Sequence, residues 1–170
     1  MNRTVYMVIA LLCLTVVNGV WAQKRFYDKE FKVGFTTPAN SKLEKLGSDA
    51  MAPQKMKDVT YVELRGTGKK VGGSATIAAG TMTQADCKVF DRGGDEKPRR
   101  RKFGTTMFDK VTDIDGGMES SASLEIYRTF HSGVCYEVSM RVGGEKYRKT
   151  NDQLLFNRLY AILRTFHFGN

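Results

Sequence analysis

Leu124-Glu125-Ile126-Tyr127-Arg128-Thr129-Phe130-His131-Ser132-Gly133-Val134-Cys135-Tyr136-Glu137-Val138-Ser139-Met140-Arg141-Val142 is a hairpin written in alternation. Leu124, Ile126, Arg128 and Phe130 alternate with Glu125, Tyr127, Thr129 and His131. After the break, Val134, Tyr136, Val138, Met140 and Val142 alternate with Cys135, Glu137, Ser139 and Arg141. A period of two belongs to the β-strand, whose successive side chains point to opposite faces. Ser132-Gly133 between the two runs reads as a two-residue turn. The two strands therefore belong to one antiparallel sheet, with one face more apolar than the other.

Working outward, the flanking segments extend the same pattern. Phe103 to Thr112 reads as a strand before the hairpin, with Asp113-Ile114-Asp115-Gly116-Gly117 as the turn between them. Val59 to Thr67 and Ser74 to Gly80 form another hairpin around Gly66-Thr67-Gly68-Lys69-Lys70. Phe31 to Phe35 alternates and ends at Thr36-Thr37-Pro38, while residues 23–30 lead into it and 41–58 read as a loop with one helical turn. Thr83-Gln84-Ala85-Asp86 has the chemistry of a helix start, a hydroxyl to cap an orphan N–H and a carboxylate near the positive end of the dipole. That short helix runs to about Phe90 and carries Cys87, and residues 91–102 follow as an exposed loop. Near the end, Thr150 or Asn151 caps a helix whose Leu155, Phe156, Leu159, Ile162 and Leu163 make a wide apolar stripe. Thr165 to Phe168 is a short terminal strand. Strands, a short helix, more strands and a long helix predict an α+β fold, an antiparallel sheet covered by helices.

The chain opens with Arg3, an apolar run from Tyr6 to Val17, a break at Asn18-Gly19, and Val20-Trp21-Ala22. A basic start, a short apolar stretch and small residues at the minus-three and minus-one positions predict a cleavable signal peptide over residues 1–22. A membrane anchor needs roughly 20 apolar residues, more than this run supplies. A lipoprotein cleaved at Cys13 would need a small residue where Leu12 stands. Removing residues 1–22 from 170 leaves 148 residues, 23–170, of a size for one globular domain that is secreted or periplasmic. No second hydrophobic span occurs in it.

Export changes how the cysteines and the charge are read. Cys13 leaves with the leader, and Cys87 and Cys135 remain in an oxidising compartment, where a disulfide is the default. Separate buried thiols are the alternative. The formal charge is +9, and losing Arg3 leaves about +8, which favours anionic surfaces such as lipid headgroups, cell-wall polymers or nucleic acid.

Three segments further resemble a known group. Gly104-Thr105-Thr106-Met107-Phe108, Tyr127 through Val138, and Leu159-Tyr160-Ala161-Ile162-Leu163-Arg164-Thr165-Phe166-His167-Phe168 are similar to small exported domains of the PsbP/Mog1-like superfamily, as is Phe35-Thr36-Thr37-Pro38. The resemblance implies an α/β/α sandwich around an antiparallel sheet. It also implies a binding or assembly role, the kind such domains play in photosynthetic complexes and nuclear transport. It carries no catalytic residue onto this chain.

Among local motifs, Lys97-Pro98-Arg99-Arg100-Arg101-Lys102 is the most distinctive, with five cations in six residues. Lys97, Arg99, Arg100, Arg101 and Lys102 suit phosphate or sulfate groups through counterion release, or else form a solvated loop. Only Phe90 and Phe103 flank the run, too few aromatics for base stacking, so specific nucleic-acid recognition is not expected. Asp113-Ile114-Asp115-Gly116 fails as a calcium loop because Val111 and Ala122 fall where acidic ligands belong. The glycines at 66 and 68 lack Walker spacing. His131 and His167 are the only histidines, and neither sits in a metal or general-base motif. The sequence thus points to no cofactor and no metal. It predicts a secreted, non-enzymatic binding or assembly domain. A polyanion or membrane-surface binder using residues 97–102 is the alternative. A hydrolase assembled from His131, Glu137 and Asp113 is a third reading, and requires those side chains to meet.

Overall fold

The computed structural model describes residues 23–45, 56–68, 71–90, 97–116, 120–145 and 149–169. The leader at 1–22 lies outside them. Ten strands and two helices follow one another: β1 (Arg25–Asp28), β2 (Val33–Thr36), β3 (Ser41–Lys45), β4 (Lys57–Gly68), β5 (Val71–Thr81), α1 (Gln84–Cys87), β6 (Arg99–Phe103), β7 (Thr106–Gly116), β8 (Ser120–His131), β9 (Val134–Glu145), α2 (Lys149–Thr165) and β10 (His167–Phe168). Seven strands form one antiparallel sheet in the order β3-β4-β5-β9-β8-β7-β6, and β1-β2-β10 form a second, smaller one.

The β8–β9 hairpin lies inside the large sheet with the register its turn dictates, His131 opposite Val134 and Arg128 opposite Glu137. Ser132 and Gly133 both take positive φ, 49° and 81°, which matches the right-handed twist of the flanking strands. Alternation then sorts the two faces. Tyr136, Val138, Met140 and Val142 join Ala75, Ile77 and Ala79 of β5 beneath α2, whose Leu159, Ile162 and Leu163 are fully buried. The opposite face carries Cys135, Glu137 and Ser139, and there α1 is fastened by a Cys87–Cys135 disulfide with a Cα–Cα distance of 5.5 Å. One helix thus lies on each face, the long α2 and the single-turn α1, and the architecture is α+β.

The small sheet packs on the α2 side through Val33 and Phe35. β10 pairs with β2, placing His167 opposite Gly34, and Tyr136 donates its hydroxyl to Phe31 O at 2.7 Å. Phe108, Tyr127, Phe103 and Phe166 fill the end of this core in edge-to-face pairs, such as Phe108–Phe166 at 5.5 Å.

Five predicted boundaries are corrected. Residues 23–30 contain β1, and residues 41–45 form a strand rather than a loop; 46–55 lie outside the described residues. The expected strand 103–112 is two strands: β6 ends at Phe103, Gly104-Thr105 turns the chain with Gly104 at φ 57°, and β7 begins at Thr106. Asp113 to Gly116 is not a turn but the end of β7, paired with Ser121 to Leu124. Each miss involves polar sequence at or near a sheet edge. There, backbone pairing on one side holds an extended chain while its side chains stay in water, so no apolar alternation is needed. The short helix also ends at Cys87 rather than near Phe90, with Thr83 Oγ1 accepting Asp86 N at 3.1 Å as its cap.

Candidate functional site

The basic run is a strand, and that decides what it presents. Arg99, Arg100, Arg101 and Lys102 all lie in β6, the last strand of the large sheet, with exposed side chains. Pleating divides them. Arg101 is opposite Phe108 and Arg99 opposite Lys110, on the α2 face; Arg100 is opposite Asp109 and Lys102 opposite Met107, on the α1 face. The side chains of Lys97, Arg101 and Lys102 make no ion pair or hydrogen bond among the described residues. The five cations therefore do not form one loop-borne cluster; four of them edge the sheet on both sides, and Lys97 precedes the strand.

On the α1 face a charged row crosses four strands, Arg100–Asp109–Arg128–Glu137, each aligned with the next by register. Arg128 Nε donates to Glu137 Oε2 at 2.7 Å with both side chains buried, and Ser139 Oγ donates to Glu137 Oε1 at 2.7 Å. Arg128 also donates to Val89 O and stacks over the Phe90 ring at 4.7 Å. These contacts pin the chain after α1 to the sheet. Arg100 meets Asp109 more loosely, at 3.7 Å and largely in solvent. Between α1 and the β6–β7 edge lies a cleft of about 250 Å³ lined by Lys88, Arg100, Met107, Asp109, Arg128 and Phe130, with Cys87 in its wall. Met107 is half exposed, which gives the cleft an apolar lip.

The α2 face carries a second polar cluster. Glu125 accepts from Lys110 Nζ at 2.6 Å, from the Tyr127 hydroxyl at 2.7 Å and from the Tyr160 hydroxyl at 2.8 Å. Burial, followed by the neighbouring carboxylate, pushes both phenols above their ordinary range, Tyr160 to about 12. Each stays protonated and donating, so the cluster holds α2 to β8 rather than offering a reactive group. It lies under Phe103, whose ring sits 5.4 Å from that of Tyr160.

The residues of the hydrolase reading are not brought together. His131 lies on the α2 face and stacks on Phe168 at 4.1 Å, whereas Glu137 is buried on the opposite face against Arg128. Asp113 is four residues along β7 from the Asp109–Arg128–Glu137 row, about 13 Å at strand rise, and its Oδ1 accepts Ile114 N at 2.7 Å. His167 Nδ1 is 2.9 Å from Thr165 O. Among the described residues no group of His, Cys, Asp and Glu is arranged to hold a metal ion.

The Arg128–Glu137 pair was reachable from sequence. Counting back from the Ser132-Gly133 turn places 128 opposite 137, and Arg128 is the one charge in an otherwise apolar row. The cleft was not reachable, because it depends on β6 turning back beside β7.

No family model and no curated protein matches the chain. The likenesses are to solved structures. A crystal structure from Bacteroides thetaiotaomicron VPI-5482 superposes with a TM-score of 0.56 at 10% identity, covering 86% of this chain and 48% of that one. This chain thus spans about half the length of that protein, and the likeness is one of α+β fold. Two further solved structures resemble it more distantly. Cyanobacterial PsbP from Synechocystis sp. PCC 6803 gives a TM-score of 0.46 at 12% identity over 89% of this chain and 95% of that one. LpqN of Mycobacterium tuberculosis, described as involved in cell envelope biogenesis, gives 0.49 at 8% identity over 88% and 91%. Among the described residues no helix is long and apolar enough to cross a membrane.

Proposed function

We propose that residues 23–170 form an exported, non-catalytic binding domain whose working surface is the cationic β6 edge with the adjoining cleft, and whose ligand is anionic. The observation that carries this reading is the edge itself. Four consecutive cations stand exposed on a terminal strand, two to each face, and Arg100 continues into a cleft that also holds Lys88 and Arg128. Such an arrangement raises the local concentration of anions and binds them with release of counterions. The disulfide, which suits an oxidising compartment, supports export. The test is retention of the secreted chain on heparin across a salt series, compared with the chain carrying Arg99→Ala, Arg100→Ala and Arg101→Ala. The expected result is elution at lower salt and a shallower salt slope for the triple variant. Unchanged retention and slope would remove the basic edge from the function.

A further inference from the structure

We infer that the anionic partner is an acidic polypeptide segment that binds in extended form, adding an eighth strand to the large sheet along β6. The inference rests on the anionic-ligand reading above and names the partner's chemistry. Its first support is topological. β6 ends the strand order, and among the described residues nothing pairs with its outer edge. The register says which groups that edge offers. The two-residue turn closes on Phe103 opposite Thr106, a pair that exchanges both backbone hydrogen bonds, and such pairs recur at every second residue. Arg99, Arg101 and Phe103 thus spend their N–H and C=O groups on β7, while Arg100 and Lys102 turn theirs outward.

The second support is charge on both faces of the pleat. A strand laid against β6 places successive side chains alternately beside Arg101 on one face and beside Arg100 and Lys102 on the other. A peptide with acid on one face only would meet half of these cations. A run of adjacent Asp and Glu residues would meet them on both. A second copy of this chain is the wrong occupant, since β6 against β6 sets cation opposite cation, the device by which edge strands avoid self-pairing. The opposite edge of the sheet shows the contrast. β3 reads Ser-Lys-Leu-Glu-Lys, of mixed sign, with Lys42 and Glu44 paired to each other.

The test separates backbone pairing from charge alone. The probes are an eight-residue peptide of six glutamates and two valines, the same peptide with every backbone nitrogen methylated, and heparin. The protein variants are Lys102→Ala and Lys102→Pro, which lose the same charge, whereas only proline loses the outward donor and is otherwise tolerated on an edge strand. The expected result is at least tenfold weaker binding of the methylated peptide. Lys102→Pro should likewise bind the unmethylated peptide at least tenfold more weakly than Lys102→Ala, while the two variants bind heparin alike. Equal binding of the two peptides to the unmodified chain overturns strand addition, and this comparison stands even if Lys102→Pro does not fold. If both peptides bind equally and the Arg99, Arg100 and Arg101 triple variant loses heparin, the anionic-ligand reading survives without the strand. If the triple variant keeps heparin, both readings fall.

Discussion

Glu125 is one carboxylate shared by an ammonium and two phenols, and this sharing makes stability depend on alkali. Tyr160 has its pKa raised to about 12 from 10.0, and Tyr127 is raised as well, in each case by burial first and by Glu125 second. A folded-state pKa above the unfolded one means that the folded state holds the proton more tightly. The stabilisation from Tyr160 is therefore complete below pH about 10 and is lost as pH rises toward about 12. Thermal unfolding followed from pH 8 to 12 should show the midpoint falling above pH 10, and Tyr160→Phe should make that fall shallower; an identical slope in both proteins would refute the assignment. At this scale the sequence was half legible. Arg128 and Glu137 carried a readable signal, a charge interrupting an apolar row and its partner found by counting from a turn. Glu125 carried none. Its role depends on Tyr160 arriving from α2, 35 residues away, and no local pattern encodes that meeting.

At the scale of elements, the disulfide has the clearest consequence. It ties a helix of one turn, too short to persist alone, to the start of β9. Closing a loop with a sequence separation of 48 stabilises the fold by about 4 kcal/mol in the chain-entropy account. Replacing Cys87 and Cys135 by serine should lower the unfolding free energy by an amount of that order, measured by urea titration. A loss under about 1 kcal/mol would show that packing, and not the crosslink, holds α1. Elements were legible where burial wrote a period into the sequence. The β8–β9 hairpin and the stripe Leu155, Leu159, Ile162 are read directly. β3 and β6 carry no such period because their side chains stay largely wet, and Asp113 to Gly116 has turn residues yet extends because β8 runs long enough to pair with it.

For the whole molecule, the α+β class was read from the order of elements, but the partition into two sheets was not. A two-residue strand such as β10 has too little sequence to announce its partner, and its pairing with β2 spans 133 residues, from Gly34 to His167. Export is the whole-molecule prediction. N-terminal sequencing of the chain recovered outside the cytoplasm should begin at Gln23. Recovery of a chain that still begins at Met1 would count against the leader.

The β2–β10 pairing also sets an order of events. A chain that crosses a membrane from its N-terminus delivers β1 and β2 first and the residues that complete their sheet last. Until Phe168 has arrived, Val33 lacks the strand partner opposite it, and the pairing that finishes the small sheet spans 133 residues, from Gly34 to His167. Such distant closure is slow to form by chain diffusion. In a chain exported in that order, as proposed above, the early strands would stand half-built until the last residues followed, and escort by another protein would serve them best during that interval.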